Sequence, residues 1–159
     1  MNVAELMTQN VRASQPADTL NSAAQTMWEN DCGCVPVVDG DRRVVGMLTD
    51  RDICMAAYTQ GGPLRALTVS SAMSKEVFTC KADETIAAAE QTMRAHHVRR
   101  LPVVDAQGHL AGIISLNDIA REAEREQSRA KKQVTSSEAG LTLAAICTPR
   151  PPRAVTLAA

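Results

Sequence analysis

Displaced by 66 positions, the sequence aligns with itself: Val3–Ile53 lies on Val69–Ile119 without a gap, and fifteen of fifty-one columns are identical. A chain that carries one pattern twice is constrained to build two like units. The identities include Val3/Val69, Met7/Met73, Thr19/Thr85, Ala23/Ala89, Met27/Met93, the runs Pro36–Asp39/Pro102–Asp105, Gly46/Gly112, Asp52/Asp118 and Ile53/Ile119. Each copy opens with a short extended piece (Val11–Ser14; Val77–Cys80). A threonine then starts a helix, with apolar Leu20, Ala23, Ala24 and Met27, or Ile86, Ala89 and Met93, at helical spacing. Two apolar strands follow, "VPVV" and "RVVGML" around the turn "DGDR", matched by "LPVV" and "HLAGII" around "DAQG". A second helix closes the unit, which reads β-α-β-β-α.

A unit of roughly 50 residues buries too little surface to stand alone, so the copies are expected to share one core. The reading divides the chain into repeat 1 (residues 1–58), a linker (59–68), repeat 2 (69–125) and a tail (126–159). In the stretch "TQGGPLRAL" (Thr59–Leu67), Gly-Gly-Pro stops the preceding helix. In the tail, "REAEREQSRAKKQ" is expected to prolong the last helix as a solvated charged extension. "SSEAGLTLAAIC" reads as a short amphipathic helix that docks on the body or on a partner chain, and "TPRPPRAVTLAA" as extended or loosely ordered. The fold class is α+β (mixed α/β), two such repeats with a C-terminal helical and extended tail.

Aromatics make up 2% of the chain against 45% apolar residues, so the core must be aliphatic. A net charge of −1 gives no reason to expect nucleic acid or a membrane surface as partner. No apolar run approaches the ~18 residues of a membrane span, and "MNVAELMTQN" has no secretory pattern. Cys32, Cys34, Cys54, Cys80 and Cys147 form an odd set without framework spacing, which fits a reducing cytoplasm.

The copies end alike, in "GMLTDRDI" (Gly46–Ile53) and "GIISLNDI" (Gly112–Ile119). Thr49-x-x-Asp52 and Ser115-x-x-Asp118 have capping-box spacing, worth roughly 1 kcal/mol as a helix cap. The same pair, a carboxylate beside a hydroxyl, suits a vicinal diol such as that of ribose. Both readings stand at this level. Asp50, Asp52 and Asp118 make these helix starts negative, so a phosphate there needs a basic residue nearby. "HHVRRLPVVD" supplies His96, His97, Arg99 and Arg100. The histidines suit a helix C-terminus, and a guanidinium at a strand entry suits phosphate oxygens. The first copy has Gly33 and Cys34 at the positions of Arg99 and Arg100, so two clefts would differ in anion affinity.

The duplicated unit, the "PVVD" strand and the Gly-x-x-[Thr/Ser]-x-x-Asp-Ile ending resemble a tandem pair of CBS (cystathionine β-synthase) domains, a Bateman module, of the stand-alone bacterial kind. The resemblance spans residues 1–123. It implies two units packed about a pseudo-twofold axis, with clefts for AMP, ADP, ATP or S-adenosylmethionine as regulatory ligand and no obligatory cofactor. It nominates Thr49 and Asp52 for one cleft, and Ser115 and Asp118 for the other. Val35, Pro36 and Val37, and likewise Leu101, Pro102 and Val103, would form adenine walls. "RRLPVVD" is similar to the "HRLPVID" type of segment in the γ subunit of AMP-activated protein kinase, which implies that Arg99 and Arg100 meet phosphate in the cleft of Asp118. A phosphate contact in the first copy's cleft would need Arg51 or Arg12. The resemblance also implies a homodimer that signals to an unknown protein effector.

Neither a glycine-rich phosphate loop nor a catalytic nucleophile or metal-protease motif is present, so the reading is a regulatory protein, not an enzyme. Two alternatives share the fold: a ligand-free dimeric scaffold, and a zinc or redox sensor using Cys32 and Cys34, although no metal site is assigned.

Overall fold

The structure is a computed structural model, and it describes residues 1–128 and 132–149. Arg150 and everything after it lie outside the described residues, as does the expectation of an extended end there.

Repeat 1 contains α1 (Leu20–Glu29), β1 (Cys34–Val38), β2 (Val44–Thr49) and α2 (Asp50–Gln60). Repeat 2 contains β3 (Cys80–Lys81), α3 (Ile86–His96), β4 (Arg100–Val104), β5 (Leu110–Ser115) and α4 (Leu116–Arg125), and α5 (Ser136–Ile146) follows. The threonines start the first helices as read from sequence: Thr19 Oγ1 accepts from Ser22 N at 3.1 Å, and Thr85 Oγ1 from Ala88 N at 3.2 Å. β1 pairs antiparallel with β2 and β4 with β5, in the same register and with the same irregularity, at Val37/Val38 and at Val103/Val104. The turns match too. Arg42 and Gly108, equivalent positions, both have positive φ (63° and 86°), as do Asp31 (47°) and His97 (53°). Backbone shape is thus repeated where side-chain identity is not.

The opening extended pieces are shorter than expected. Val11–Ser14 makes a single parallel bridge, Ser14 to Val37, and the second piece is the two-residue β3, parallel to β4. The segments that lead into the repeats cross over. Val3 is fully buried in the core of repeat 2, with Ile86, Met93, Leu101 and Ile114. Its twin Val69 is fully buried in the core of repeat 1, with Leu20, Val35, Leu48 and Ile53. The bridges Thr8–Ile113 and Ser74–Met47 are equivalent, as are Asn2–Thr85 and Thr68–Thr19. Between the repeats, Arg43 bridges its own counterpart His109, which puts a pseudo-twofold axis at that point. The single shared core expected from length is therefore replaced by two cores, each completed by a segment from the other repeat.

The crossing explains the glycine of each terminal octet. A Cβ on Gly112 would sit 2.8 Å from Thr8 O and 2.7 Å from Met7 Sδ, and one on Gly46 3.1 Å from Ser74 O and 2.7 Å from Met73 Sδ. Four of the repeated residues, Met7/Met73 and Gly46/Gly112, are the two halves of this one contact.

The linker is held against the body. Gly61 (φ 68°) caps α2, Leu64–Ala66 forms a 3-10 turn, and Leu64 and Leu67 pack on the first core. The tail departs from expectation. α4 ends at Arg125, and Glu126 is fully buried, its Oε2 accepting from Gln133 N at 2.7 Å and Val134 N at 2.8 Å. A charge that sequence assigns to solvent instead ties the chain's turn toward α5. That helix docks on the body, against α3 and α4. Buried Thr142 donates to Glu90 Oε1 at 2.9 Å and accepts from Arg94 Nη1 at 2.8 Å, while Val134 and Ala139 join the second core.

Candidate functional site

Each repeat ends a strand where a helix begins, and both junctions have the same hydrogen bonds. Asp118 Oδ2 accepts from Ser115 N at 2.9 Å and Ser115 Oγ at 2.6 Å, and Ser115 Oγ accepts from Asp118 N at 3.3 Å. Asp52 Oδ2 accepts from Thr49 N at 2.9 Å and Thr49 Oγ1 at 2.7 Å, with Asp52 N on Thr49 Oγ1 at 3.2 Å. Both acids therefore cap their own helices. Thr135 and Glu138 make the same box at α5, outside either repeat. The box alone does not specify a ligand.

The surroundings of the two boxes differ. Beside Asp118 lies a cavity of about 390 Å³. Ser115, Asn117, Asp118 and Arg121 form one wall, and Cys32, Gly33 and Cys34 of repeat 1 the opposite one. The crossing segment (Thr8, Asn10, Val11, Arg12), Asn30, Asp31, Arg100 and Ile113 complete it. Asp118 is 9% exposed, and its Oδ1 makes an ion pair with the largely exposed Arg121. Beside Asp52 runs an open groove of about 1190 Å³ along α2, lined by Arg51, Asp52, Met55 and Thr59, with His97, Thr148 and Pro149 across from them.

A cavity built from both halves of a duplicated β-α-β-β-α chain is the arrangement to set against known proteins. The CBS domain profile matches this sequence twice, over residues 3–58 and 69–125. The chain belongs to the CBS-domain family. CBS domain-containing protein YhcV of Bacillus subtilis is 38% identical over 119 residues, 75% of this chain and 83% of that one. The crystal structure of Hypoxic Response Protein I with two coordinated zinc ions matches with a TM-score of 0.70 at 33% identity, over 76% of this chain and 98% of that one. CBSX2 in complex with AMP matches with a TM-score of 0.68 at 25% identity, over 78% and 96%.

The CBS pair distributes the nominated residues unevenly. Ser115, Asp118 and Arg100 meet in one cavity, where β4–β5 pairing sets Arg100 opposite Ser115. Arg99 is exposed, does not line that cavity, and offers its carbonyl to Leu116 N at 2.9 Å. Its twin Gly33 lines the cavity instead, because each cleft takes its acid from one repeat and its facing loop from the other. Cys32 and Cys34 likewise face Asp118, not Asp52. Arg12, considered above for the first copy's cleft, lies in that of Asp118, and Arg51 lies in the groove of Asp52. Thr49 lines neither space. Val35 and Val37, Leu101 and Val103 point into the two cores, and Pro36 and Pro102 are also buried. None of these six is among the residues lining either space; the valines and the leucine turn their side chains inward, and it is main-chain atoms of these segments that the resemblance gives to adenine. Asn10, Asn117 and Arg121 are cleft residues that sequence did not nominate. The Gly-x-x-Ser-x-x-Asp octet contains Asn117, so that one was within reach.

The cysteines carry no metal signature: among the described residues no three His, Cys, Asp or Glu side chains are grouped to hold an ion. Burial pushes the Cys34 thiol up, partly offset by Arg100, and pushes Cys80 up to about 12. Both are held as thiols at neutral pH. Among the described residues no helix is long and apolar enough to cross a membrane.

Proposed function

We propose that this CBS pair is a cytoplasmic regulatory module that binds an adenosine-containing ligand in the cleft of Asp118. The observation that carries this reading is the open cavity of about 390 Å³ in which Ser115, Asp118 and Arg100 converge against the Cys32–Cys34 loop of the other repeat. Ser115 and Asp118 hold the ribose hydroxyls, and Arg100 faces the phosphate of AMP, ADP or ATP; the carboxylate of S-adenosylmethionine would occupy the same place. The chemistry of the cleft is recognition: burial holds its Cys34 thiol protonated, and the Ser115 hydroxyl is engaged with Asp118 in the helix cap. A ligand spanning both repeats favours one relative arrangement of them, and that population shift is what a protein effector reads. The module pairs with a second copy of itself through α1 and α2, where Trp28 and Tyr58 are 88% and 82% exposed.

The test is a thermal-shift panel of AMP, ADP, ATP and S-adenosylmethionine on the wild type, Asp118→Ala and Asp52→Ala. A ligand at 100 times its Kd stabilises by about 2.7 kcal/mol. Both variants lose a helix cap worth roughly 1 kcal/mol, but only Asp118→Ala should lose the ligand shift. Flat curves for the wild type would leave the ligand-free scaffold in its place.

A further inference from the structure

Resting on that reading, we infer that the Asp118 cleft continues into a subsite for a di- or triphosphate tail, and that only this side of the molecule has one. A second cavity, of about 600 Å³, shares Asn10, Val11 and Arg12 with the cleft and adds Gln9, Arg42, Leu110 and Ala111. Ala111, Ile113 and Ser115 alternate onto one face of β5. Ser115 and Ile113 line the first cavity and Ala111 the second, so the two follow one another along a single strand face. Four residues of strand span about 13 Å, longer than one phosphate group. The trough thus begins at the Ser115–Asp118 pair, passes Arg100 and Arg12, and ends at Arg42.

The charges fit a polyanion. Among the described residues Arg12, Arg42 and Arg100 have no carboxylate partner within ion-pair distance, whereas Arg121 is taken by Asp118. The other negative group in the wall, Asp31, lies with Asp118 in the first cavity and not in the second. Guanidiniums without carboxylate partners, spaced along one trough, suit phosphate oxygens through charge-assisted hydrogen bonds.

The pseudo-twofold axis supplies an internal control. The positions equivalent to Arg12 and Arg42 are Phe78 and Gly108. Phe78 is partly buried on the second core and stacks on His96, with centroids 3.6 Å apart and planes 13° from parallel. Where this side places Arg12 and Arg42, the other places Phe78, stacked on His96, and Gly108; Arg51 in the groove of Asp52 stands at the position of Asn117 and not in an equivalent of the trough. A duplicated fold that keeps the backbone and exchanges these side chains has specialised one cleft.

The experiment is calorimetric titration of the full chain with adenosine, AMP, ADP and ATP, at two salt concentrations, on the wild type, Arg42→Gly, Arg12→Ala and Asp118→Ala. Glycine is chosen at 42 because its twin is Gly108 and because φ of 63° favours it, so folding is preserved. The wild type should bind ADP and ATP about tenfold more tightly than AMP, with one site per chain, and more steeply dependent on salt. Arg42→Gly should close that gap and leave adenosine unchanged, and Arg12→Ala, which also lines the nucleoside cleft, should cost ADP and ATP more than adenosine. Asp118→Ala should weaken all four ligands. Equal wild-type affinity for AMP, ADP and ATP, or an Arg42→Gly loss that is the same for adenosine and ATP, would overturn the subsite while leaving the ribose reading intact. Two sites per chain of equal phosphate preference would also overturn it. No binding of any of the four by the wild type would overturn both.

Discussion

The capping boxes show how one residue pattern can carry two meanings. Thr49/Asp52, Ser115/Asp118 and Thr135/Glu138 make the same hydrogen bonds, yet only in the Ser115/Asp118 box do hydroxyl and acid both line a space built from the two repeats. The hydroxyl–acid spacing was legible in sequence; what surrounds it was not, because the facing loop comes from about 80 residues away, Cys34 to Asp118. The glycines of the octets have the same lesson. Their repetition was visible, but its reason is a sulfur and a carbonyl brought in by the crossing segment. Gly112→Ala should therefore destabilise by about 1–3 kcal/mol, since the methyl meets Thr8 O at 2.8 Å and backbone must shift. Urea unfolding measures it. Gly40→Ala, where a Cβ meets nothing within 4 Å, is the comparison, and equal effects at the two sites would remove the contact as the cause.

Among the elements, the helices and hairpins follow from periodicity and threonine caps, and they appear where apolar spacing puts them. The failures are informative. Val11–Ser14 is nearly strandless because its partner offers one bridge, and "REAEREQ" breaks at Arg125, where Glu126 accepts from the backbone of Gln133 and Val134, a contact that charge patterning does not register. α5 is held partly by a titrating group. Glu90, 3% exposed, has its carboxyl pushed above its ordinary 4.5, first by burial, against the lowering effects of the Thr142 hydrogen bond and Arg94, with Glu138 adding to the rise. A raised folded-state value means that the folded chain prefers the proton. This stability is full below about 4.5, the unfolded value, and falls as pH rises through the raised folded value. Glu90→Gln keeps an acceptor for Thr142 and removes the charge. It should raise Tm at pH 7 relative to the wild type and flatten the decline in Tm as pH rises from 4. A variant that tracks the wild type across this range would mean that Glu90 is not the titrating group.

At the scale of the whole molecule, duplication is made cooperative by exchange: Val3 completes the second core and Val69 the first, so neither repeat has its core without the other. Symmetry is then broken at the helical faces. α5 lies on α3 and α4, while among the described residues no helix covers the equivalent pair, α1 and α2, which exposes Trp28, Tyr58 and the 46% exposed Met55. The chain's one tryptophan and one tyrosine are both largely exposed, on α1 and α2, and these are the side chains that the proposed pairing would cover. Pairing through this face should make the wild type dimeric at micromolar concentration by light scattering. Trp28→Glu with Tyr58→Glu should yield a monomer, with far-ultraviolet dichroism unchanged because neither side chain belongs to the core. Because α5 already occupies the other helical face, association should stop at two. Larger assemblies, or a dimer that survives both substitutions, would place the contact elsewhere, with the outer face of α5, where Leu141 and Leu143 are 64% and 47% exposed, as the next surface to change.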